Sequence, residues 1–285
     1  MRRRLLQSVN ENTEESIEAG DVVYYANNKL NVCKLDNWST SLGTAIGVIV
    51  IPPDFLPDKK ARIIAKNDIT SDGTATTTTS TMPFSTVNVD TSLTNYTKLP
   101  TTDNMDSTSS GVYGNGKLPS DIYTGTQSFV DPSSYYNTSA TSNLVPSPYV
   151  GDTYNPYYSM DLEGYNNCLS DFNGYENTQV LVALGNKYRA AYACNRYTDG
   201  VTSLKWYLPS AGELGFLNVR LKKINQSLTK IGGNAKSVDI NNYYWSSTEY
   251  GAQYAFFLNT SSGGMGSYYK TDVDLVRPFA TIDLQ

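Results

Sequence analysis

The sequence predicts an α+β fold, with strands near both ends of the chain and helices between them. Segments typical of strands lie between residues 20 and 65. Two segments with helical periodicity follow at 177–193 and 210–228, and alternation of apolar residues returns at 254–259. A chain of 285 residues is long enough for one large domain or two small ones.

The early strands are defined by their turns and by their apolar runs. Segments 21–25 and 30–35 flank Asn27-Asn28, a good hairpin turn because asparagine tolerates positive φ. Segment 45–51 is too apolar for a strand that faces solvent, so we expect it to cross the core. The next strand is predicted at 60–65.

The middle of the chain has little to bury. Ser and Thr make up 21 of the 41 residues from 70 to 110, which predicts a surface excursion or an arm that orders only against a partner. Residues 111–175 are rich in Gly, Pro, Tyr, Asn and Asp, a composition typical of long ordered loops. Residues 1–19 are polar after the first arginines and predict a flexible arm or an attachment peptide.

The helical segments differ in how clearly they are marked. The first is interrupted by Gly185, whereas the second begins with a capping box formed by Ser210 and Glu213. Its apolar residues recur at three- and four-residue steps, which predicts a buried stripe. The stripe consists of Leu214, Leu217, Leu221, Ile224 and Leu228.

The composition excludes several classes of function. The chain has no histidine, so Ser-His and Cys-His nucleophile systems cannot exist in it. Its three cysteines, Cys33, Cys168 and Cys194, lack metal or redox spacing and predict free thiols. A net charge of −5 gives no reason to expect binding to nucleic acid or to anionic lipid. No apolar run reaches the length of a membrane span, so no membrane insertion is expected.

Tyrosine is the outlier in composition, with 23 residues against 8 phenylalanines. Tyrosine combines apolar area with a hydrogen-bonding tip and suits interfaces, although a fold rich in strands also favours aromatic residues. The tyrosines crowd the predicted turns of the last third of the chain, where Ser, Thr, Asn and Gly accompany them. This pattern indicates a surface that contacts another molecule.

Three ordered motifs carry a resemblance to a known family. They are Trp206-Tyr207-Leu208-Pro209-Ser210 followed by Glu213-Leu214, then Tyr244-Trp245-Ser246-Ser247-Thr248-Glu249-Tyr250, and then Val276-Arg277-Pro278-Phe279. With them the chain resembles C-type-lectin-fold proteins of Bacteroidales and their phages, a group that includes adhesin-like domains and is similar to variable proteins diversified by retroelements. Segments 121–127 and 169–174 strengthen the likeness to members from gut Bacteroidales and their phages.

The resemblance implies a C-type-lectin-like fold with mixed or antiparallel sheets, two helices and long ordered loops. It implies a single domain over residues 20–285 with a Ser/Thr-rich insertion at about 70–120. In this fold the early and late strands pair, which brings the chain ends together. The implied protein belongs to a virion surface or fibre, or is a bacterial surface adhesin. A leader-like start that stops at Gln7 favours the virion, because virions assemble in the host cytoplasm.

The implied partners are other virion proteins and a host surface glycan or protein, and a homo-oligomer is expected. A structural decoration protein of the virion with no receptor role stays open as an alternative. The resemblance places the binding face in the loops before and between the last strands. The implied contact positions are Tyr243, Tyr250, Gln253, Asn259, Ser261, Ser262, Met265, Ser267, Tyr268, Tyr269, Thr271, Asp272 and Asp274.

Trp206, Trp245 and Arg277 are interpreted as scaffold, with the guanidinium tied to Glu213 or Glu249. Some relatives of this fold are enzymes that use a cysteine pair, but the surroundings of Cys194 indicate core packing and their active-site motif is absent. We therefore expect no catalytic residue.

The motifs of calcium-dependent lectins are also absent, so neither a metal site nor a cofactor is expected. Four aspartates still offer oxygen ligands for calcium. They are Asp199, Asp239, Asp272 and Asp274.

Overall fold

A computed structural model describes residues 16–56, 58–87, 172–250, 253–261 and 264–284. Within these ranges the chain forms an α+β fold of thirteen strands and four α-helices. All ladders between the strands are antiparallel, and one isolated parallel bridge joins Tyr244 to Leu275. The α+β prediction is confirmed, whereas the lectin-like fold stays a proposal.

The elements follow one another along the chain in three groups. The early strands are β1 Val22–Ala26, β2 Lys29–Cys33, β3 Thr44–Ile51, β4 Ala61–Ala65, β5 Asp68–Ile69, β6 Ala75–Thr76 and β7 Met82–Pro83. The middle group is α1 Gly174–Ala183, α2 Arg189–Arg196, β8 Trp206–Tyr207, α3 Ala211–Val219 and α4 Leu221–Ile231. The late strands are β9 Tyr243–Tyr250, β10 Tyr254–Asn259, β11 Gly264–Tyr269, β12 Val273–Asp274 and β13 Phe279–Ile282.

A six-stranded sheet with the order β2-β1-β3-β4-β13-β8 joins the early and late parts of the chain. Its central ladder aligns Ile64 of β4 with Phe279 of β13 and continues to the pair of Ala61 with Ile282. Ile17 and Leu284, near the two ends of the described chain, line one cavity beside β2. The predicted pairing of early and late strands is therefore confirmed, and it brings the two ends of the described chain close together.

The early hairpin and the core strand are confirmed. Asn27 and Asn28 adopt φ of 52° and 59° in the turn between β1 and β2. Every residue of β3 after Thr44 is buried. The strand is buried on both faces because its side chains enter two separate core clusters, Val48 and Val50 in one and Ile46 and Ile49 in the other. This two-sided burial explains its continuous apolar run.

Each of the two predicted helices is divided in two. After α1 the chain passes Gly185 at φ +112°, a conformation that side-chain-bearing residues rarely adopt, and α2 begins at Arg189. Arg220 separates α3 from α4 with φ −114° and ψ 10°. The capping box at Ser210 is confirmed, and all five apolar residues of the predicted stripe are buried.

The Ser/Thr-rich segment lies mostly on the surface at first and returns to the core at Met82. Met82, Phe84 and Ser85 are buried, and the Phe84 ring lies 6.0 Å from that of Tyr188 and 5.9 Å from that of Trp245. Most of residues 71–81 are exposed, in agreement with the predicted surface excursion, and Phe84 anchors the end of this stretch in the core. The rest of the insertion, the segments at 121–127 and 169–171, and Cys168 lie outside the described residues.

None of the helices in the described ranges has both the length and the apolar character needed to cross a membrane.

Candidate ligand-binding face

A three-stranded sheet with the order β11-β10-β9 carries most of the predicted contact residues. Phe257 of β10 lies opposite Trp245 of β9 and Gly266 of β11, and Asn259 lies opposite Tyr243. Successive side chains of a strand point to opposite faces of the sheet. One face, with Phe256, Leu258 and Met265, enters the core beneath α3, and the other face holds Phe257.

Four aromatic side chains form a continuous group on this second face, which we call the Phe257 cluster. The ring of Phe257 lies 5.0 Å from Tyr243, 6.3 Å from Trp245 and 6.4 Å from Tyr268, and all three contacts are edge-to-face. Trp245 is fully buried, whereas Tyr243 and Tyr268 are 44% and 53% exposed. The cluster therefore connects a core ring to two tyrosines that face solvent.

Gly266 leaves room for the ring at the centre of the cluster. A Cβ at this position would lie 2.7 Å from the Phe257 ring, well below van der Waals contact. The absence of a side chain lets the ring cover the backbone of β11. The packing of Phe257 thus depends on glycine in the neighbouring strand.

A second aromatic pair lies where β10 begins and β11 ends. Tyr254 and Tyr269 are direct ladder partners, and their ring centroids are 4.6 Å apart. A hydrogen bond between the two side chains raises the pKa of Tyr254. Tyr269 is 39% exposed and also lies 6.1 Å from the Tyr268 ring. By alternation this pair stands on the opposite face of the sheet from Phe257, and the contact between Tyr269 and Tyr268 at the sheet edge joins it to the Phe257 cluster.

Some of the predicted contact residues in the turns form hydrogen bonds with neighbouring residues. Asn259 accepts hydrogen bonds from the backbone and hydroxyl of Ser261 at 3.0 and 2.7 Å. The carbonyl of Gln253 accepts from the Lys270 amide at 2.9 Å. Ser261 is exposed. The other described turn and strand positions are half-buried, and these are Gln253, Asn259, Ser267, Thr271 and Asp272.

Two predicted contact residues are not surface positions, which corrects the sequence analysis. Met265 is 1% exposed because it pairs with Leu258 and points into the core. Asp274 is 8% exposed because β12 pairs with β7, where it aligns with Met82. Burial raises the pKa of the Asp274 carboxyl to about 7, and the charge of Asp272 adds to the shift. The side chain of Tyr250 and the whole of Ser262 lie outside the described residues.

Arg277 belongs to the scaffold, but its predicted carboxylate partner was wrong. Its Nε donates to Asp68 at 2.7 Å, and Lys236 contacts the other oxygen of the same carboxylate at 2.8 Å. The hydroxyl of Tyr244 donates to Asp68 at 3.4 Å. Burial, with the charge of Asp68, raises the pKa of Tyr244. A network of buried charges therefore fixes the start of β9, next to Tyr243.

The two glutamates considered for Arg277 have other cations. Glu249 pairs with Lys270 at 2.7 Å, and both residues are buried. Glu213 contacts the Nε of Arg62 at 3.4 Å. The ion pair between Glu249 and Lys270 joins the end of β9 to the residue after β11. It therefore holds the two outer strands of the three-stranded sheet in register.

The alternative chemistries receive no support from the described part of the chain. Cys194 is buried and free, and burial raises its pKa well above the usual thiol value, which disfavours a reactive thiolate. The Asp199 carboxylate accepts from two backbone amides and from the Trp206 indole. Asp239 likewise accepts from Asn242. Within the described ranges no three acidic or cysteine side chains form a group that could hold a metal ion.

Phe257 and Tyr254, which are half-buried on opposite faces of β10, were missed as members of the aromatic contacts. Their alternation in 254–259 was visible in the sequence, but alternation alone does not tell which face of a strand is covered. The glycine at 266 was the available signal, because a large ring opposite a glycine is a recurring arrangement in sheets.

Comparison with known proteins gives little further information. No protein-family model matches the chain, and no curated protein matches it. A solved structure of a fimbrial protein from Bacteroides ovatus ATCC 8483 is similar, with 19% sequence identity and a TM-score of 0.48. The alignment covers 93% of this chain and 49% of the fimbrial chain, so the chain spans about half the length of that protein.

Proposed function

We propose that the chain is a non-enzymatic surface attachment module, which binds its target through the Phe257 cluster and the adjoining Tyr254–Tyr269 pair. The observation that carries the proposal is the exposure of Tyr243 and Tyr268 on a buried aromatic foundation. Rigid, partly exposed tyrosines are typical contact residues because they lose little conformational entropy on binding.

The expected energy of such a contact is modest for each residue but adds up over the surface. Full burial of a large apolar side chain contributes about 1.5–3 kcal/mol, so covering the exposed half of one tyrosine contributes about 1 kcal/mol. Ring contacts hold Tyr243 and Tyr268 in place before binding. Their ordering cost on binding is therefore small, which favours affinity.

The proposed setting is the surface of a phage virion, assembled in the cytoplasm of a Bacteroidales host, and the target is a glycan or protein on that host. The resemblance of the three motifs to the C-type-lectin-fold group supports this setting and the proposed fold. A bacterial surface adhesin would use the same face. Mass spectrometry of purified particles and of shaved cell surfaces distinguishes the two settings, because the peptides appear in only one fraction.

Binding of the labelled protein to a panel of gut Bacteroidales strains tests the attachment role. We expect the double variant Tyr243→Ala/Tyr268→Ala to lose about tenfold or more in affinity for a strain that binds the unmodified protein. Tyr192→Ala on α2 is the matched control, since Tyr192 is a half-buried tyrosine outside the three-stranded sheet. Equal binding by the double variant would refute the proposal. Incorporation into particles without any cell binding would favour the decoration protein.

A further inference from the structure

A polar cavity of about 360 Å³ lies apart from the Phe257 cluster, and none of its lining residues belongs to β9, β10 or β11. It lies between the ends of β4, β8 and β13 and the first turns of α1 and α3. Its size is within the range of small-molecule sites. Tyr207 and Glu213, which come from the first sequence motif, contribute to its wall, so that motif does more than cap a helix.

Buried polar groups with fixed positions form one wall of the cavity. The Tyr207 hydroxyl donates to Glu213 at 2.8 Å, and the backbone amide of Ser210 donates to the other carboxylate oxygen at 2.8 Å. Burial raises the pKa of Tyr207, so its hydroxyl stays protonated and keeps donating. Arg62, 8% exposed, spans from Glu213 at 3.4 Å to Asp58 at 2.8 Å. Such a wall is pre-organised for hydrogen bonding.

An aromatic wall stands beside these polar groups. Tyr175, in the first turn of α1, is 36% exposed and meets the ring of Tyr207 edge-on at 6.0 Å. Phe172 lines the same cavity. A flat ring next to hydrogen-bonding groups suits a ligand with one apolar face and several hydroxyls.

The charges of the cavity favour an uncharged ligand. Four carboxylate and three cationic side chains line it, and the main ones are already paired. Arg62 has two carboxylate partners, and Lys60 lies 3.9 Å from Asp283. The excess is a single negative charge, so we expect strong binding of neither an anion nor a cation. The paired groups can still exchange hydrogen bonds with hydroxyls, and charge-assisted hydrogen bonds are the stronger kind.

We propose that this cavity binds one neutral sugar unit, whose ring packs against Tyr175 and whose hydroxyls bond to Arg62 and Asp58, while the fully buried Glu213 holds the Arg62 guanidinium in place. The site goes beyond the attachment role of the Phe257 cluster and does not depend on it. A ligand of this size would bind weakly, in the millimolar range expected of small polar molecules.

Saturation-transfer NMR with the whole protein tests the proposal. The probes are glucose, galactose, mannose and N-acetylglucosamine, with glucuronic acid and glucosamine as the charged counterparts. We expect at least one neutral sugar to bind, Tyr175→Ala to weaken its binding about tenfold, and Tyr175→Phe to stay within about threefold of the unmodified protein. Tyr192→Ala, outside both the cavity and the Phe257 cluster, should bind the same sugar unchanged.

A second variant keeps the test valid if Tyr175→Ala fails to fold, which thermal melting detects. Lys205→Met removes an exposed donor from the rim of the cavity and should weaken the sugar about threefold. Binding of only the charged probes would overturn the proposal, as would equal sugar binding by the Tyr175→Ala protein. Absence of any neutral-sugar signal would also overturn it, and none of these results bears on cell attachment by the Phe257 cluster.

Discussion

Asp274 makes the stability of the fold depend on pH in an unusual direction. Its carboxyl has a pKa of about 7 in the folded chain against an ordinary value of 3.8, because burial and Asp272 oppose its charge. The folded state thus binds the proton more tightly, and stability falls as pH rises from about 4 to 7. One pKa unit corresponds to about 1.36 kcal/mol, so a pKa raised by about three units costs the folded state roughly 4 kcal/mol once the carboxyl is ionised. This is an upper limit, because the Asp274 side chain keeps 8% exposure to water.

The substitution Asp274→Asn removes this cost. Urea denaturation of both proteins at intervals between about pH 4 and pH 8 measures the difference in their free energies of unfolding. We expect Asp274→Asn to gain stability over the unmodified protein steadily through this window. Asp36→Asn is the control for replacing a carboxyl group by an amide at an exposed position, since the Asp36 side chain is 99% exposed. A difference that stays constant with pH would refute the reasoning.

Two further substitutions test the scaffold and the exposed face. Arg277→Met should destabilise the fold by about 3 kcal/mol in urea denaturation, because it removes one partner of the buried Asp68 carboxylate. The contact of Asp68 with Lys236 remains, so the loss should lie near the lower end of the range for broken buried ion pairs. An unchanged midpoint would contradict this. Gly266→Ala should cost about 1–3 kcal/mol and weaken cell binding, because the new Cβ displaces the Phe257 ring. Unchanged stability and binding would show that the ring does not need glycine beneath it.

Local features of the fold were predictable because neighbouring residues determine them. The Asn27-Asn28 turn requires only positive φ at two adjacent positions, and the capping box joins Ser210 to a residue three positions later. The burial of β3 followed from its unbroken apolar run. For the turn and the capping box, the sequence window contains all the interacting groups.

Long-range pairing was not predictable in this way. Arg277 reaches Asp68 across 209 positions, so no local pattern distinguishes this carboxylate from Glu213 or Glu249. Met265 stands between two glycines in a segment typical of a turn, yet its ladder partner Leu258 turns it into the core. The same limit applies to the candidate site, where the tyrosine-rich composition indicated a contact surface but not which strand face remains exposed.

Hydroxyl-radical footprinting of the protein, free and bound to a recognised strain, measures whether the Phe257 cluster makes the contact. We expect modification of Tyr243, Tyr268 and Tyr269 to fall on binding, because these three exposed side chains lie on the proposed contact surface. The rate at Tyr192 should not change. Full modification of the three tyrosines in the bound protein, with protection elsewhere, would contradict the claim that this face makes the contact.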